Sequence, residues 1–264
     1  MKKLTALILA ALMLFAALAL TSCGTKGKTL DQIKSAGKLV VATSADFPPF
    51  EDLQGDGTFV GIEMDLAKLI CDKLGVELVI ENMSFDSILT GVQAGKFDVG
   101  IAGISIDEDR KKNTLFSDPY CLAAQSIIVP EGSAITGKAD LAGKKISVQT
   151  GTTAEKYCLE NGYDVNSYEN NSDAELALTS GKVDAWVIDD LTAAEMVAAY
   201  NDGNESKLVI LDDAMTTEPY AFGFALGSDD LVAEINKIIA DLIADGTVAG
   251  LFEKYGAPYT SPVK

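Results

Sequence analysis

The chain has 264 residues with 39 acidic and 21 basic side chains, a formal net charge of −18 and no histidine. Such acidity disfavours binding to nucleic acid and electrostatic binding to anionic lipid, because both partners are negatively charged. The lack of histidine excludes a His-based zinc or copper site, a Ser-His-Asp triad and a Cys-His dyad, and we expect neither a metal ion nor a cofactor.

The first 22 residues have the pattern of a secretory signal. A basic tip precedes an apolar run, residues 4–20, that is too short to favour a permanent transmembrane helix. The run ends at LTSC (20–23), which resembles the bacterial lipobox, in which the cysteine is diacylated. We therefore expect cleavage before Cys23, a lipid anchor on it and a flexible tether over residues 23–29. The alternative is an ordinary signal with an incidental cysteine.

The three remaining cysteines, Cys71, Cys121 and Cys158, are widely spaced in apolar or helical surroundings. Three such residues do not make a disulfide framework. We expect them to be buried or half-buried thiols.

Strand-like and helix-like segments alternate from residue 37 onward. This alternation predicts an α/β fold with a largely parallel sheet. The strands are predicted at residues 37–44, 76–83, 97–104, 144–151 and 183–190. The helices are predicted at residues 60–75, 84–95, 153–162, 172–181, 191–200 and 229–256.

Two stretches repeat one pattern, AGKFDVGIAG (94–103) and SGKVDAWVID (180–189). Each has a Gly-Lys pair, an apolar residue, an aspartate and an apolar strand, after a helix-like segment. The repeat indicates two similar lobes, with chance similarity of common turns as the alternative.

Two long extended runs, 120–132 and 218–227, are predicted to join the lobes. Lobe 1 then comprises residues 30–121 plus 222–264 and lobe 2 residues 125–217, with hinges near 120–126 and 217–223. Two lobes joined by two narrow crossings place a ligand cleft between them.

The stretch GISIDEDR contains the sole arginine of the chain, Arg110. Ser105 and Glu108 fit a capping box, which predicts a short helix there. Gly103 permits close approach of the backbone to a ligand. A guanidinium near this helix start can bind a carboxylate through two parallel hydrogen bonds, whereas the alternative is a solvated helix start.

A second candidate anion site follows the strand at 144–151. Thr152 and Glu155 fit another capping box after Gly151, and the N–H groups at 150–153 could bind a carboxylate. Ordinary helix capping is the alternative.

Asp189 ends the strand at 183–190 and is a candidate partner for an ammonium group. The alternative is a helix cap, which Asp190 provides equally well. Phe47, Phe50 and Phe85 are candidate apolar walls of the cleft, with loop packing as the alternative.

These stretches resemble the bacterial extracellular solute-binding proteins of family 3, the polar amino-acid receptors of ABC importers. The segment GIEMDLAKLICDKL (61–74) is similar to the signature helix of that family. The resemblance implies an extracytoplasmic receptor, expected as a monomer, with the two-lobed, hinged periplasmic-binding-protein fold of type II. Further similar stretches are ATSADFPPFE, AGISIDEDRKKNTLFSDPY, VQTGTTAE, VDAWVIDD and DGTVAGLFEKYG.

The resemblance also assigns roles to residues of the cleft. Arg110 falls where the family binds the α-carboxylate, assisted by Gly103, Ser105, Thr152 and Thr153. Asp189 falls where the family binds the α-ammonium group. Phe47 and Phe85 correspond to an aromatic sandwich around the ligand side chain, and Gln149 to a position that varies with the ligand.

Ser44 is the position where this chain departs from the family pattern, since relatives that bind glutamine, histidine, lysine or arginine have an aspartate there. Without that charge, burying a cationic side chain costs several kcal/mol. We therefore expect a neutral polar or small L-amino acid, with glutamine and the cysteine/cystine type open. Asp46, two residues later, is a possible substitute.

Two other functions are compatible with this sequence. One is an enzyme on the same fold, similar to cyclohexadienyl or arogenate dehydratases, which needs a positioned general acid or base. The other is a sensory or adhesive lipoprotein that binds amino acids without an importer.

Overall fold

The computed structural model describes residues 27–262. The predicted signal sequence and the lipidation site Cys23 lie outside the described residues. No helix within 27–262 has the length and apolar character needed to cross a membrane. The helices are α1 (Leu30–Ala36), α2 (Ile62–Leu74), α3 (Phe85–Gln93), α4 (Thr153–Glu160), α5 (Asn171–Thr179), α6 (Asp190–Gly203), α7 (Asp229–Ala244) and α8 (Thr247–Lys254).

The strands lie where the sequence predicts extended structure, with several short strands added. They are β1 (Lys38–Thr43), β2 (Asp46–Phe47), β3 (Glu51–Leu53), β4 (Phe59–Val60), β5 (Glu77–Asn82), β6 (Val99–Gly100), β7 (Thr114–Phe116), β8 (Cys121–Ala123), β9 (Gln125–Pro130), β10 (Lys145–Gln149), β11 (Asp164–Tyr168), β12 (Ala185–Asp189), β13 (Leu208–Ile210), β14 (Glu218–Tyr220) and β15 (Gly223–Ala225).

Two five-stranded sheets of the same design form the centres of the two lobes. The order is β5-β1-β6-β15-β7 in lobe 1 and β11-β10-β12-β9-β13 in lobe 2. In each sheet the first three strands are parallel and the fourth is antiparallel to its neighbours. The predicted two-lobed α/β fold is confirmed.

The repeated stretches occupy equivalent places in the two sheets. Asp98 precedes β6, and its carboxylate accepts a hydrogen bond from the Val40 N–H at 2.8 Å while its own N–H donates to the Val40 carbonyl. Asp184 precedes β12 and makes the same pair of bonds with Lys145. Each aspartate thus joins two parallel strands, which accounts for the repeat.

A two-stranded antiparallel ribbon forms where the chain passes from one five-stranded sheet to the other. Its strands, β8 and β14, pair Cys121 with Tyr220 and Ala123 with Glu218. The chain enters lobe 2 along β8 and returns along β14, as the two extended runs predict. The limits of the lobes in residue numbers stay a prediction.

Helix α2 shows why the local pattern predicts its element well. Ile62, Leu66 and Ile70 are buried on one face, and the helix ends at Gly75, whose φ of 72° favours glycine. The predicted helix at 229–256 is instead two helices, α7 and α8, separated at Gly246, whose φ is 83°. Its left-handed backbone interrupts the helix.

The three cysteines of the described chain are free and buried, as expected. Burial raises the pKa of Cys158 to about 12 and that of Cys71 to about 11. They are therefore inert apolar residues of the core.

The predicted capping box at Ser105 is wrong. Residues 105–109 form no α-helix, and only a short 3-10 turn is present at Arg110–Lys112. The backbone of Ser105 forms a β-bridge with Tyr220. The side chain of Asp107 accepts hydrogen bonds from the N–H groups of Asp109 and Arg110 instead.

Candidate ligand-binding site

A small cavity lies between the lobes, beside the carboxyl ends of β1, β6, β10 and β12. All ten residues predicted to contact a ligand line it: Ser44, Phe47, Phe85, Gly103, Ser105, Arg110, Gln149, Thr152, Thr153 and Asp189. Glu51 and Ala102, which sequence analysis did not single out, complete the lining.

The guanidinium of Arg110 is fixed by contacts to both lobes. Nη1 donates to the Ser105 carbonyl at 2.8 Å, and Nη2 donates to the Gly151 carbonyl at 2.9 Å. The group lies over the Phe85 ring, 5.5 Å from its centroid. Burial lowers the pKa of Arg110, while the charge of Asp107 opposes this; the group stays cationic because arginine does not lose its proton in proteins.

Gly103 is required by the packing of the aromatic wall. Its φ is 54°, and a Cβ there would lie 2.5 Å from Cε1 of Phe47. Its N–H donates to Oε2 of Glu63 at 2.8 Å. That N–H is therefore already engaged, and a contact of the Gly103 backbone to a ligand stays a prediction.

The N-terminus of α4 forms the lobe 2 side of the cavity. Thr152 is the N-cap, as predicted, and its hydroxyl accepts from the Glu155 N–H at 3.1 Å. The same hydroxyl donates to the Gln149 carbonyl. The Thr153 hydroxyl accepts from Nε2 of Gln125 at 3.1 Å, so its own proton can point to a ligand oxygen.

Asp189 ends β12 with 8% of its surface exposed. Its side chain makes no capping bond, since Asp190 accepts from the Leu191 N–H at the start of α6. Oδ1 of Asp189 accepts from Nε2 of Gln125 at 2.6 Å. Burial raises the pKa of Asp189 well above its usual range, and the charge of Glu218 raises it further. The site therefore favours a positive group beside Asp189.

Phe47 and Phe85 line the cavity from β2 and from the first turn of α3. Phe50, the third candidate wall, is fully buried behind Phe47, with the ring centroids 5.7 Å apart. Phe50 supports the wall and does not line the cavity.

The polar side chains of Ser44 and Gln149, which line the cavity, are hydrogen-bonded to neighbouring protein groups. Nε2 of Gln149 donates to the Glu169 carbonyl, and Oε1 accepts from Nδ2 of Asn171. The Ser44 hydroxyl donates to Oδ1 of Asp46 at 3.3 Å, and Oδ2 of Asp46 accepts from the Asn171 N–H at 2.6 Å. Asp46 is thus engaged with lobe 2 outside the cavity lining.

Glu51 and Gln125 are the polar residues of the site that sequence analysis missed. Glu51 is fully buried in β3, although its neighbours in the sequence resemble a solvated turn. Gln125 is 1% exposed and joins Asp189 to Thr153. No local pattern marks either residue, because both are buried by segments distant in the sequence.

Direct contacts hold the two lobes together around the cavity. Lys156 of lobe 2 pairs with Asp107 at 2.8 Å and Asp109 at 2.5 Å, both of lobe 1. On the other side, Asp46 of lobe 1 accepts from Asn171 of lobe 2. The cleft is therefore in a closed state.

Residues 39–258 match the family described as bacterial extracellular solute-binding proteins, family 3. The L-cystine-binding protein TcyJ of Escherichia coli strain K12 is 32% identical over 236 residues, which cover 88% of this chain and 87% of that protein.

Solved structures of amino-acid-binding proteins have the same fold. Those of an ancestral arginine-binding protein bound to arginine and bound to glutamine are each 39% identical to this chain, with TM-scores of 0.77 and 0.79. The matched regions cover 83% and 84% of this chain, and 98% and 99% of the two ancestral chains. The ancestral amino acid-binding protein AncCDT-1, a precursor of cyclohexadienyl dehydratase, is 35% identical with a TM-score of 0.79, covering 86% of this chain and 99% of that one.

Proposed function

Since the chain belongs to the bacterial extracellular solute-binding proteins of family 3, we propose that it binds a free L-amino acid between its lobes and delivers it to an ABC importer. The observation that carries this proposal is the pair of opposite charges in one closed cavity, Arg110 and Asp189. They match the two charges of a zwitterion.

The carboxylate of the amino acid would lie against Arg110, the Ser105 hydroxyl and the N-terminus of α4. Its ammonium group would lie against Asp189, which Gln125 orients. Arg110 comes from lobe 1 and Asp189 from lobe 2, so the ligand favours closure through its greater affinity for the closed state. The ammonium supplies the positive charge that a buried carboxylate needs.

The side chain of the ligand would lie between Phe47 and Phe85, towards Ser44, Gln149 and Glu51. Ser44 provides no charge, which favours a neutral ligand, but the acidic residue Glu51 also lines the cavity. A cationic side chain would therefore have an acidic partner in the site. Relatives bind cystine, arginine and glutamine, and these three span neutral and cationic side chains.

An enzymatic role is less well supported by the cavity. The dehydratase relative is itself an ancestral amino acid-binding protein. A dehydratase needs a general acid that gives its proton to the substrate, whereas the Glu51 carboxyl is fully buried beside the acidic Glu63. Incubation with arogenate or prephenate should give no product, and product formation abolished by Glu51→Gln would establish the enzyme instead.

We propose a place for the receptor in the cell from the lipobox-like stretch at residues 20–23. A lipid on Cys23 would hold it, as a monomer, at the outer face of the cell membrane near its permease. Mass spectrometry of the membrane-extracted protein tests the anchor, because a diacylated cysteine changes the mass of the N-terminal peptide. A neighbouring permease and ATPase operon would separate the importer from a sensory or adhesive lipoprotein.

The direct test of binding is calorimetric titration of the protein with each of the twenty L-amino acids and with L-cystine. At least one should bind and raise the melting temperature, because a ligand specific for the folded state stabilises it. Failure of all of them to bind would refute the proposed function.

A further inference from the structure

Glu51 is an acid buried in the cavity wall without a hydrogen-bond donor. It begins β3 and is 0% exposed, yet it is one of the residues that line the cavity. Within the described chain, no N–H or hydroxyl donates to either of its oxygens. Its polar neighbour is the carboxyl of Glu63 on α2, whose negative charge raises the pKa of Glu51. Two carboxyl groups so close to each other favour a state in which one keeps a proton and the other is ionised.

Glu63 holds the negative charge of this pair. Oε1 accepts from the Tyr120 hydroxyl at 2.7 Å, and Oε2 accepts from the Gly103 N–H at 2.8 Å. Burial raises the pKa of Glu63 as well, but both donors oppose this and stabilise a carboxylate there. The shared proton therefore resides on Glu51, which is the member that reaches the cavity.

Arg110 is a cation that lines the same cavity, but neither it nor another cation of the described chain is among the groups that act on the pair. The titratable groups that act on it are Asp46 on β2, Tyr120 before β8 and Cys121 on β8. Burial raises the pKa of Glu51 well above its usual range, and the charge of Glu63 raises it further. A positive group in this part of the cavity would therefore stabilise a negative charge on Glu51 in addition to the one on Glu63.

We propose that Glu51 adapts the site to the charge of the ligand side chain by keeping or releasing the proton that it shares with Glu63. This inference rests on the proposed function. A guanidinium or ammonium side chain binds with release of the proton from Glu51 to the solvent, which leaves two carboxylates facing one cation. A neutral side chain binds while Glu51 keeps its proton. An acidic side chain is excluded, because it would face Glu63 without a counter-charge.

The linkage fixes the direction of the pH effect. A proton released on binding makes binding tighter as the pH rises, by up to about tenfold per pH unit below the pKa of Glu51. Asp189 also titrates, but it contacts the α-ammonium group of every amino acid. Its contribution therefore cancels when two ligands that differ only in the side chain are compared.

L-arginine and L-citrulline are the matched pair, since a neutral urea group replaces the guanidinium at nearly constant shape. We would titrate the protein with each in two buffers of different ionisation enthalpy, from about pH 6 to pH 8. Arginine should release about one proton more than citrulline. Equal proton release would overturn the proposal, and so would a failure of arginine to bind when a neutral amino acid binds.

Glu51→Gln provides the second arm. The glutamine amide has nearly the shape of the protonated acid but cannot ionise, so the extra proton release should vanish and arginine should lose affinity relative to citrulline. Asp52→Asn on the same strand, outside the cavity lining, should keep the wild-type difference. Unchanged arginine-linked release in Glu51→Gln would refute the role of Glu51. If this variant does not fold, the wild-type comparison decides.

The outcomes of this experiment also separate the two proposals. Binding of amino acids without a difference in proton release would refute the Glu51 mechanism alone. Failure of all twenty amino acids and cystine to bind would refute the proposed function, and the Glu51 mechanism with it.

Discussion

Lys156 of lobe 2 forms an ion pair with Asp107 of lobe 1, with 2.8 Å between Nζ and Oδ2. Asp109 joins the pair at 2.5 Å, and hydrogen bonds from Lys112 and Lys156 lower its pKa to about 2. The two lobes therefore have a contact that does not involve the ligand. Such a contact stabilises the closed state and, through it, the bound state.

Loss of this ion pair should weaken ligand binding slightly. Surface ion pairs contribute little to stability, so Lys156→Met should lower the affinity by no more than about fivefold. The difference from wild type should shrink near 1 M salt, where the screening length falls to about 3 Å, close to the separation of the paired atoms. Calorimetric titration at low and high salt measures both effects. Lys237→Met, which breaks a pair within α7, is the control; a salt-independent loss in Lys156→Met would contradict the ionic origin.

The stability of the ligand-free protein should fall as the pH rises from about 5 to 8. Glu51 and Asp189 have raised pKa values because they are buried, and each has a second carboxyl group nearby. The native state therefore binds more protons than the unfolded state, and deprotonation favours unfolding. Urea unfolding at several pH values should give a shallower fall for Glu51→Gln than for wild type and Asp52→Asn. A stability that rises over this range would show that these acids are ionised in the native state.

Gly103→Ala should damage both the fold and the site. A Cβ would strain a backbone with φ of 54° and would lie 2.5 Å from Phe47, so we expect a loss of at least about 1–2 kcal/mol in unfolding free energy. Affinity should fall as well, because Phe47 must move. Gly57→Ala shares the positive φ, 87°, but meets no atom within 4 Å. It should lose stability alone, and equal affinities of the two variants would argue against the role of Phe47.

Asp189→Asn should lower amino-acid affinity about 100-fold, since truncating a buried charge pair costs about 2–5 kcal/mol. The melting temperature of the ligand-free protein should not fall, because a neutral amide replaces a buried acid beside Glu218. Asp190→Asn, whose side chain instead accepts from Ala124 and Leu191, should keep wild-type affinity. Calorimetry of both variants measures affinity and melting temperature. Similar affinities of Asp189→Asn and Asp190→Asn would show that Asp189 does not bind the ligand.

Local patterns predicted those features whose partners lie within one turn or strand. The N-cap at Thr152 is correct, since its hydroxyl accepts from the Glu155 N–H three residues away, but the Glu155 carboxylate accepts from the Gly151 N–H and does not complete the predicted capping box. The same pattern at Ser105 failed, because the backbone of Ser105 pairs with Tyr220 on the returning strand. An N-cap pattern carries no information about a competing strand that is distant in the sequence.

The cavity shows the same division between local pattern and tertiary contact. The residues expected from family resemblance came together in one place, whereas no sequence pattern indicated Glu51 or Gln125. Glu51 is buried by contacts with α2, and Gln125 is positioned by Asp189 from the neighbouring strand. Their polarity favours exposure, so only the folded arrangement reveals that they belong to the site.

Titration of Arg110→Lys with the best-binding amino acid tests the central claim most directly. Lysine keeps the charge but cannot reproduce the two parallel hydrogen bonds of a guanidinium with a carboxylate. It also loses the bonds that Arg110 makes to Ser105 and Gly151. The affinity should fall about 100-fold while the fold is retained, whereas near-unchanged binding would show that Arg110 does not bind the carboxylate.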